Sequence, residues 1–87
     1  MTFQDISDAI LSIAQDEGIK TDVAPAGPVI YRQDGLNMGI VVSGDYDISF
    51  YFKNSYGKLS VRRITDIDKA LAIGLDFIYE GAIFKTP

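Results

Sequence analysis

Apolar side chains recur along the start of the chain at helical spacing. Phe3, Ile6, Ile10 and Ile13 form one stripe, flanked by Ala9 and Ala14, while Asp5, Asp8, Ser12, Gln15 and Asp16 take the other side. The pattern predicts an amphipathic helix over residues 2–17. Thr2 followed by Asp5 has the spacing of a capping box, with aspartate in place of the usual glutamate, and Gly18 suits the position just past a helix end. Residues 18–28 contain Pro25 and Pro28 and read as a linker, since proline donates no backbone hydrogen bond and Pro28 is tolerable only at a strand start or on an edge.

From residue 29 the period changes from 3.6 to 2. Four short segments rich in β-branched and aromatic residues, 29–33, 36–42, 47–53 and 58–64, are each bounded by turn residues and read as strands. The Asp34-Gly35 pair is a two-residue, type I′ hairpin signal, which sets Tyr31 opposite Met38 and Val29 opposite Ile40. At the second turn, a three-residue loop over 44–46 pairs Ile40 with Phe50 and Val42 with Ile48. It keeps one apolar face intact where a two-residue loop would split it. A four-residue loop over 54–57 pairs Phe52 with Leu59 and Phe50 with Val61.

Residues 66–80 form a second helical pattern, with Thr65 and Asp68 again at capping-box spacing. Its apolar arc, from Ile67 and Ala70 round to Phe77 and Ile78, is very wide, as in a helix central to a core or shared with a partner. A short tail, 81–87, carries Ile83 and Phe84. The expected fold is α+β: a single-domain, two-layer sandwich of helix, four-stranded antiparallel meander and helix, both helices on one sheet face.

This register leaves an outer sheet face with one row of Arg32, Asn37, Lys53 and Lys58. Beside it lie a second row of Ile30, Gly39, Tyr51 and Ser60 and a third of Val41, Ser49 and Arg62. Net charge sharpens the picture. The chain is −4 overall, yet residues 32–63 carry five bases against three acids, while both ends are acidic. Tyr51 over Gly39 has a structural reading, an aromatic shielding a glycine gap, and lysines near a sheet edge have one too, solubility. The same residues also make a contact patch of basic and apolar side chains.

Composition narrows the chemistry. The 87 residues include no cysteine and no histidine, which removes disulfides, thiolate metal sites and the commonest general base. Asp45 with Asp47, and Asp66 with Asp68, are too few oxygen ligands for a hard cation and fit turn and helix-start roles. No phosphate-cradling glycine loop and no nucleophile elbow is present. The acidic N-terminus lacks a signal-peptide pattern and no apolar run reaches membrane-spanning length, so a cytoplasmic location is expected. Together these predict a non-catalytic protein-binding module without cofactor or metal, of the kind found among small inhibitors, antitoxins, immunity proteins and phage-type anti-defence proteins. Its contact residues are Arg32, Tyr51, Lys53, Lys58 and Arg62, with Ile30 and Val41 in support, and its partner has an acidic surface. Two alternatives stand beside it: a sheet-face binder of single-stranded nucleic acid, opposed by the pI near 4.4, and a homodimeric, chaperone-like protein joined through the second helix.

Overall fold

The computed structural model describes residues 1–82. The apolar stripe of the N-terminal segment forms α1 (Phe3–Asp16) and buries Phe3, Ile6, Ile10 and Ala14. Its capping box is complete: the Thr2 hydroxyl accepts from the Asp5 N–H at 3.1 Å, and the Asp5 carboxylate accepts from the Thr2 N–H at 2.9 Å. The Thr2 N–H bond to its charged form, with the Thr2 side chain second, holds the Asp5 carboxyl below the ordinary aspartate value.

The segment expected as a linker is instead a strand. β1 (Lys20–Ala24) pairs antiparallel with β2 (Gly27–Tyr31), so the sheet has five strands rather than four. β3 (Asn37–Val42), β4 (Ile48–Lys53) and β5 (Leu59–Ile64) follow, each hydrogen-bonded to its sequence neighbour in the order β1-β2-β3-β4-β5. β1 is an edge strand in which Val23 stays exposed. It is held by backbone pairing rather than by apolar burial, and so leaves no period-2 apolar signal.

After β5 comes α2 (Ile67–Glu80). Its N-cap is Asp66, whose carboxylate accepts from the Lys69 N–H at 2.9 Å, in place of the expected Thr65. Gly81, in the left-handed region at φ +66°, ends it. Both helices lie on one face of the sheet. Between the layers, Phe50 and Phe52 stack at 6.1 Å between ring centroids, and Phe52 meets Phe77 of α2 at 5.9 Å. The helices touch where Gly74 faces Ile10, closely enough that a Cβ at 74 would overlap the fully buried Ile10 side chain. The expected positions of Ile83 and Phe84 lie outside the described residues.

Two of the three expected hairpin registers differ by one residue. Around Asp34 the loop has three residues, closed by Arg32 N–H to Leu36 O at 2.8 Å and by Gly35 N–H to Arg32 O at 3.2 Å. A type I′ turn needs positive φ at both central residues, and only Gly35 has it, at +88°. Asp34 remains right-handed because its carboxylate accepts from the Leu36 N–H and holds Arg32. Around Tyr56 the loop likewise has three residues. Asn54 N–H donates to Lys58 O at 3.0 Å, and the Asn54 side chain accepts from the Tyr56 and Lys58 N–H groups, an Asx turn. Gly57 supplies the positive φ, +83°. The middle hairpin has the expected register, Ile40 opposite Phe50 and Val42 opposite Ile48.

Since side chains alternate with period 2, each slip turns a whole strand over. Ile30 rather than Val29 and Tyr31 faces the core, fully buried. On β5, Ser60, Arg62 and Ile64 face the helices, while Leu59 and Val61 turn outward.

Candidate functional site

Opposite the helices, the sheet presents its side chains in rows. Lys20, Tyr31, Asn37, Lys53 and Leu59 lie in the first row. Asp22, Val29, Gly39, Tyr51 and Val61 lie in the second. Ala24 and Gly27, then Val41, Ser49 and Arg63, make up the third.

Three of the seven residues expected on this face are there: Tyr51, Lys53 and Val41. The turned strands remove the others. Ile30 is core. Arg62 is on the helix side of β5 and half-buried. Lys58 closes a hairpin tip and by alternation shares the side of Ser60. The expected cross-strand pair of lysines is therefore absent, and Lys53 lies opposite Leu59. That removes a like-charge repulsion and makes the face more apolar than anticipated. Tyr31 and Val29 on β2, Tyr51 on β4, and Val61 and Leu59 on β5 form an apolar band, with Asn37 and Gly39 of β3 between them.

Arg32 has a structural task. Its Nη1 donates to the carbonyls of Phe77 at 3.1 Å and Ile78 at 2.6 Å, its guanidinium lies 6.0 Å from the Phe77 ring centroid, and Asp34 bonds its Nε and Nη2. A cation on the last carbonyls of α2 gives Ile78 O a donor, adds a second to Phe77 O, which also accepts from the Gly81 N–H, and complements the helix dipole. The Arg32 bond also holds the Asp34 carboxyl below the usual aspartate value. Charge-assisted hydrogen bonds of this kind contribute about 1.5–3 kcal/mol. Arg32→Ala is expected to lower the urea midpoint by roughly 2 M, at about 1 kcal/mol per molar for a domain of this size. Arg32→Lys should recover less than half, because lysine lacks the planar fork. An unchanged midpoint in the alanine variant would show that the clamp is ornamental.

The two layers differ in charge. Residues 2–17 and 66–80, the helices and their caps, hold eight of the 12 acids and a single lysine. Residues 20–64, the sheet and its loops, hold six of the eight bases and four acids. On the open face, Lys20 lies over the Tyr31 ring at 5.4 Å. Asp47 is held by Arg63 at 2.6 Å, and Asp22 accepts from its neighbour's Val23 N–H at 2.8 Å. Lys20 and Lys53 are the cations that this side presents alongside the apolar band.

One end of the face is concave. Ala24, Ala26, Val29, Gly39, Val41 and Tyr51 surround an apolar hollow of about 340 Å³. Its shape comes from two glycines. Gly39, opposite Tyr51, leaves the floor without a side chain. Gly27, at φ +147°, brings the β1–β2 turn so close to β3 that a Cβ there would overlap the Ile40 carbonyl oxygen. Pro28 explains the approach. Continuing the ladder from Arg32 and Leu36 sets Pro28 opposite Ile40, where its missing N–H would have donated to that oxygen.

Among the described residues no group of three or more acidic side chains gathers where a cation could be held, and no helix is long and apolar enough to cross a membrane. No family model matches the chain, and neither a curated protein nor a solved structure matches it.

Proposed function

We infer that the chain is a non-catalytic, cytoplasmic module that binds another protein through the open face of its sheet and acts by occluding or tethering it. The observation carrying this reading is the apolar band of exposed Tyr51, Val61 and Leu59 and half-buried Tyr31 and Val29, with Lys20 and Lys53 beside it. Contiguous apolar surface on one side of a small protein marks contact sites more often than isolated exposed side chains do. Tyrosines contribute a large rigid contact area at low entropic cost. The basic tilt of this face against an acidic helical layer favours a partner with negative surface.

The test is affinity capture from host lysate, with and without nuclease, by the wild-type chain and by the double variant Tyr51→Ala, Lys53→Glu. Proteins captured by the wild type should be lost by the variant, with melting temperature changed by no more than a few degrees, since both side chains are exposed. Capture that persists in the variant defeats this reading. Capture abolished by nuclease favours a nucleic-acid partner instead.

A further inference from the structure

Building on the face-binding reading, we propose that the hollow between the β1–β2 turn and Tyr51 seats one bulky apolar side chain, leucine or phenylalanine, projecting from an acidic segment of the protein partner. The hollow is about 340 Å³, at the low end of the roughly 300–1,000 Å³ of ligand pockets and ample for a single side chain. Its walls are Ala24, Ala26, Val29, Val41 and Tyr51, which offer aliphatic and aromatic surface and little to orient a polar ligand. Interfaces concentrate their binding energy in such places, where one anchor fills a pocket and its surroundings exclude water.

The flanking charges specify what carries the anchor. Lys53 lies two positions along β4 from Tyr51, and Lys20 stands over Tyr31 on the same face. Of the two carboxylates on this side, Asp47 is paired with Arg63, while Asp22 accepts from the Val23 N–H and keeps its charge opposite Val29, so Lys20 and Lys53 outnumber it two to one. A segment with aspartate or glutamate on both sides of the anchor meets cations on the sheet, whereas a basic segment is repelled by them. A second copy of this chain is a poorer occupant. Its helical layer is acidic but buries its isoleucines and phenylalanines wholly or in part and offers Tyr79 as its one exposed large hydrophobic side chain among the described helical residues, and its own open face would set Lys20 and Lys53 against like charges.

Gly39 provides a direct test. A Cβ at this position meets only Tyr51, at 3.7 Å from its Cβ, an ordinary contact, and its φ lies outside the glycine-only region. Gly39→Val therefore fills the floor of the hollow while suiting a strand better than glycine does. The probes are three labelled synthetic nonapeptides followed by fluorescence anisotropy. One carries a central leucine between aspartates and glutamates, the second has alanine at the centre, and the third has lysines as flanks.

The acidic leucine peptide is expected to bind the full chain at least tenfold more tightly than either other peptide. Gly39→Val should weaken it at least tenfold with a melting temperature unchanged or raised, and Gly39→Ala should weaken it by less. Equal affinity for all three peptides, or undiminished binding by Gly39→Val, overturns the proposal. So does a single-stranded oligonucleotide that binds salt-dependently and displaces the peptide without regard to Gly39. If the peptides fail but the Tyr51→Ala, Lys53→Glu chain still loses its captured protein, the anchor is wrong and the face reading stands. If that double variant also captures normally, both fall.

Discussion

Replacing Phe52 by alanine should remove about 3–5 kcal/mol of stability, a large part of the roughly 4–13 kcal/mol that a domain of 87 residues possesses at about 0.05–0.15 kcal/mol per residue. Phe52 is fully buried and occupies the junction of the two layers, with Phe50 beside it on β4 and Phe77 above it on α2. Truncation leaves a void beside Phe50 of β4, Phe77 of α2 and the fully buried Met38 opposite on β3, none of which can relax toward it without leaving its own contacts. Since the Arg32 guanidinium rests near Phe77, the clamp on the end of α2 should loosen as well. Urea unfolding followed by far-ultraviolet circular dichroism measures the change. A loss below 1 kcal/mol would mean that the layers slide together to close the gap.

Gly27→Ala is the second large effect, and it comes from backbone rather than from a core. Two penalties combine. An L side chain at φ +147° is strained by about 1–3 kcal/mol, and the new methyl overlaps the Ile40 carbonyl oxygen, an atom fixed in the central strand. The chain escapes by peeling the β1–β2 turn off β3, so about 3 kcal/mol or more is expected, together with faster amide exchange over residues 20–31. Gly44→Ala is the control. It has positive φ, +76°, but nothing within 4 Å of the added carbon, so it should cost only about 1–2 kcal/mol. Equal effects of the two substitutions would assign the whole cost to φ and none to the close approach.

How much of this was legible in the sequence depended on whether a segment offered one apolar parity or two. Between β3 and β4 only one choice kept Ile40, Val42, Ile48 and Phe50 together, and that register is the one observed. Residues 29–31 and 59–64 offered apolar side chains on both parities: Val29 and Tyr31 against Ile30, and Leu59 and Val61 against Ile64. There the turns decided. A glycine at the third loop position, preceded by a residue that is not left-handed, makes a three-residue loop. Gly35 and Gly57 both hold that place. The side chains of Asp34 and Asn54, each bonding back to loop amides, were the readable sign.

The candidate site inherited both outcomes. Tyr51, Lys53 and Val41 belong to the strands whose register was determined, and they lie on the open face. Ile30, Arg32, Lys58 and Arg62 belong to the strands that turned over or to their hairpin ends, and they do not. The hollow had no sequence signature. It arises from Gly27 and Pro28 of β2 and Gly39 of β3, brought together by the pairing of the two strands, with Tyr51 of β4 opposite Gly39.

The turning of β5 has a further consequence, at the rim of the sheet. β5 is an outer strand with one side of its backbone unclaimed by any strand among the described residues, and such a strand invites another chain to extend the sheet. Arg62 points to the helix side of this rim and Arg63 to the other, two consecutive charges on opposite faces. A newcomer pairing with β5 would have to set its own side chains beside a cation whichever way it faced. β5, which gives the core only Ile64, thus also guards this rim against edge-to-edge aggregation.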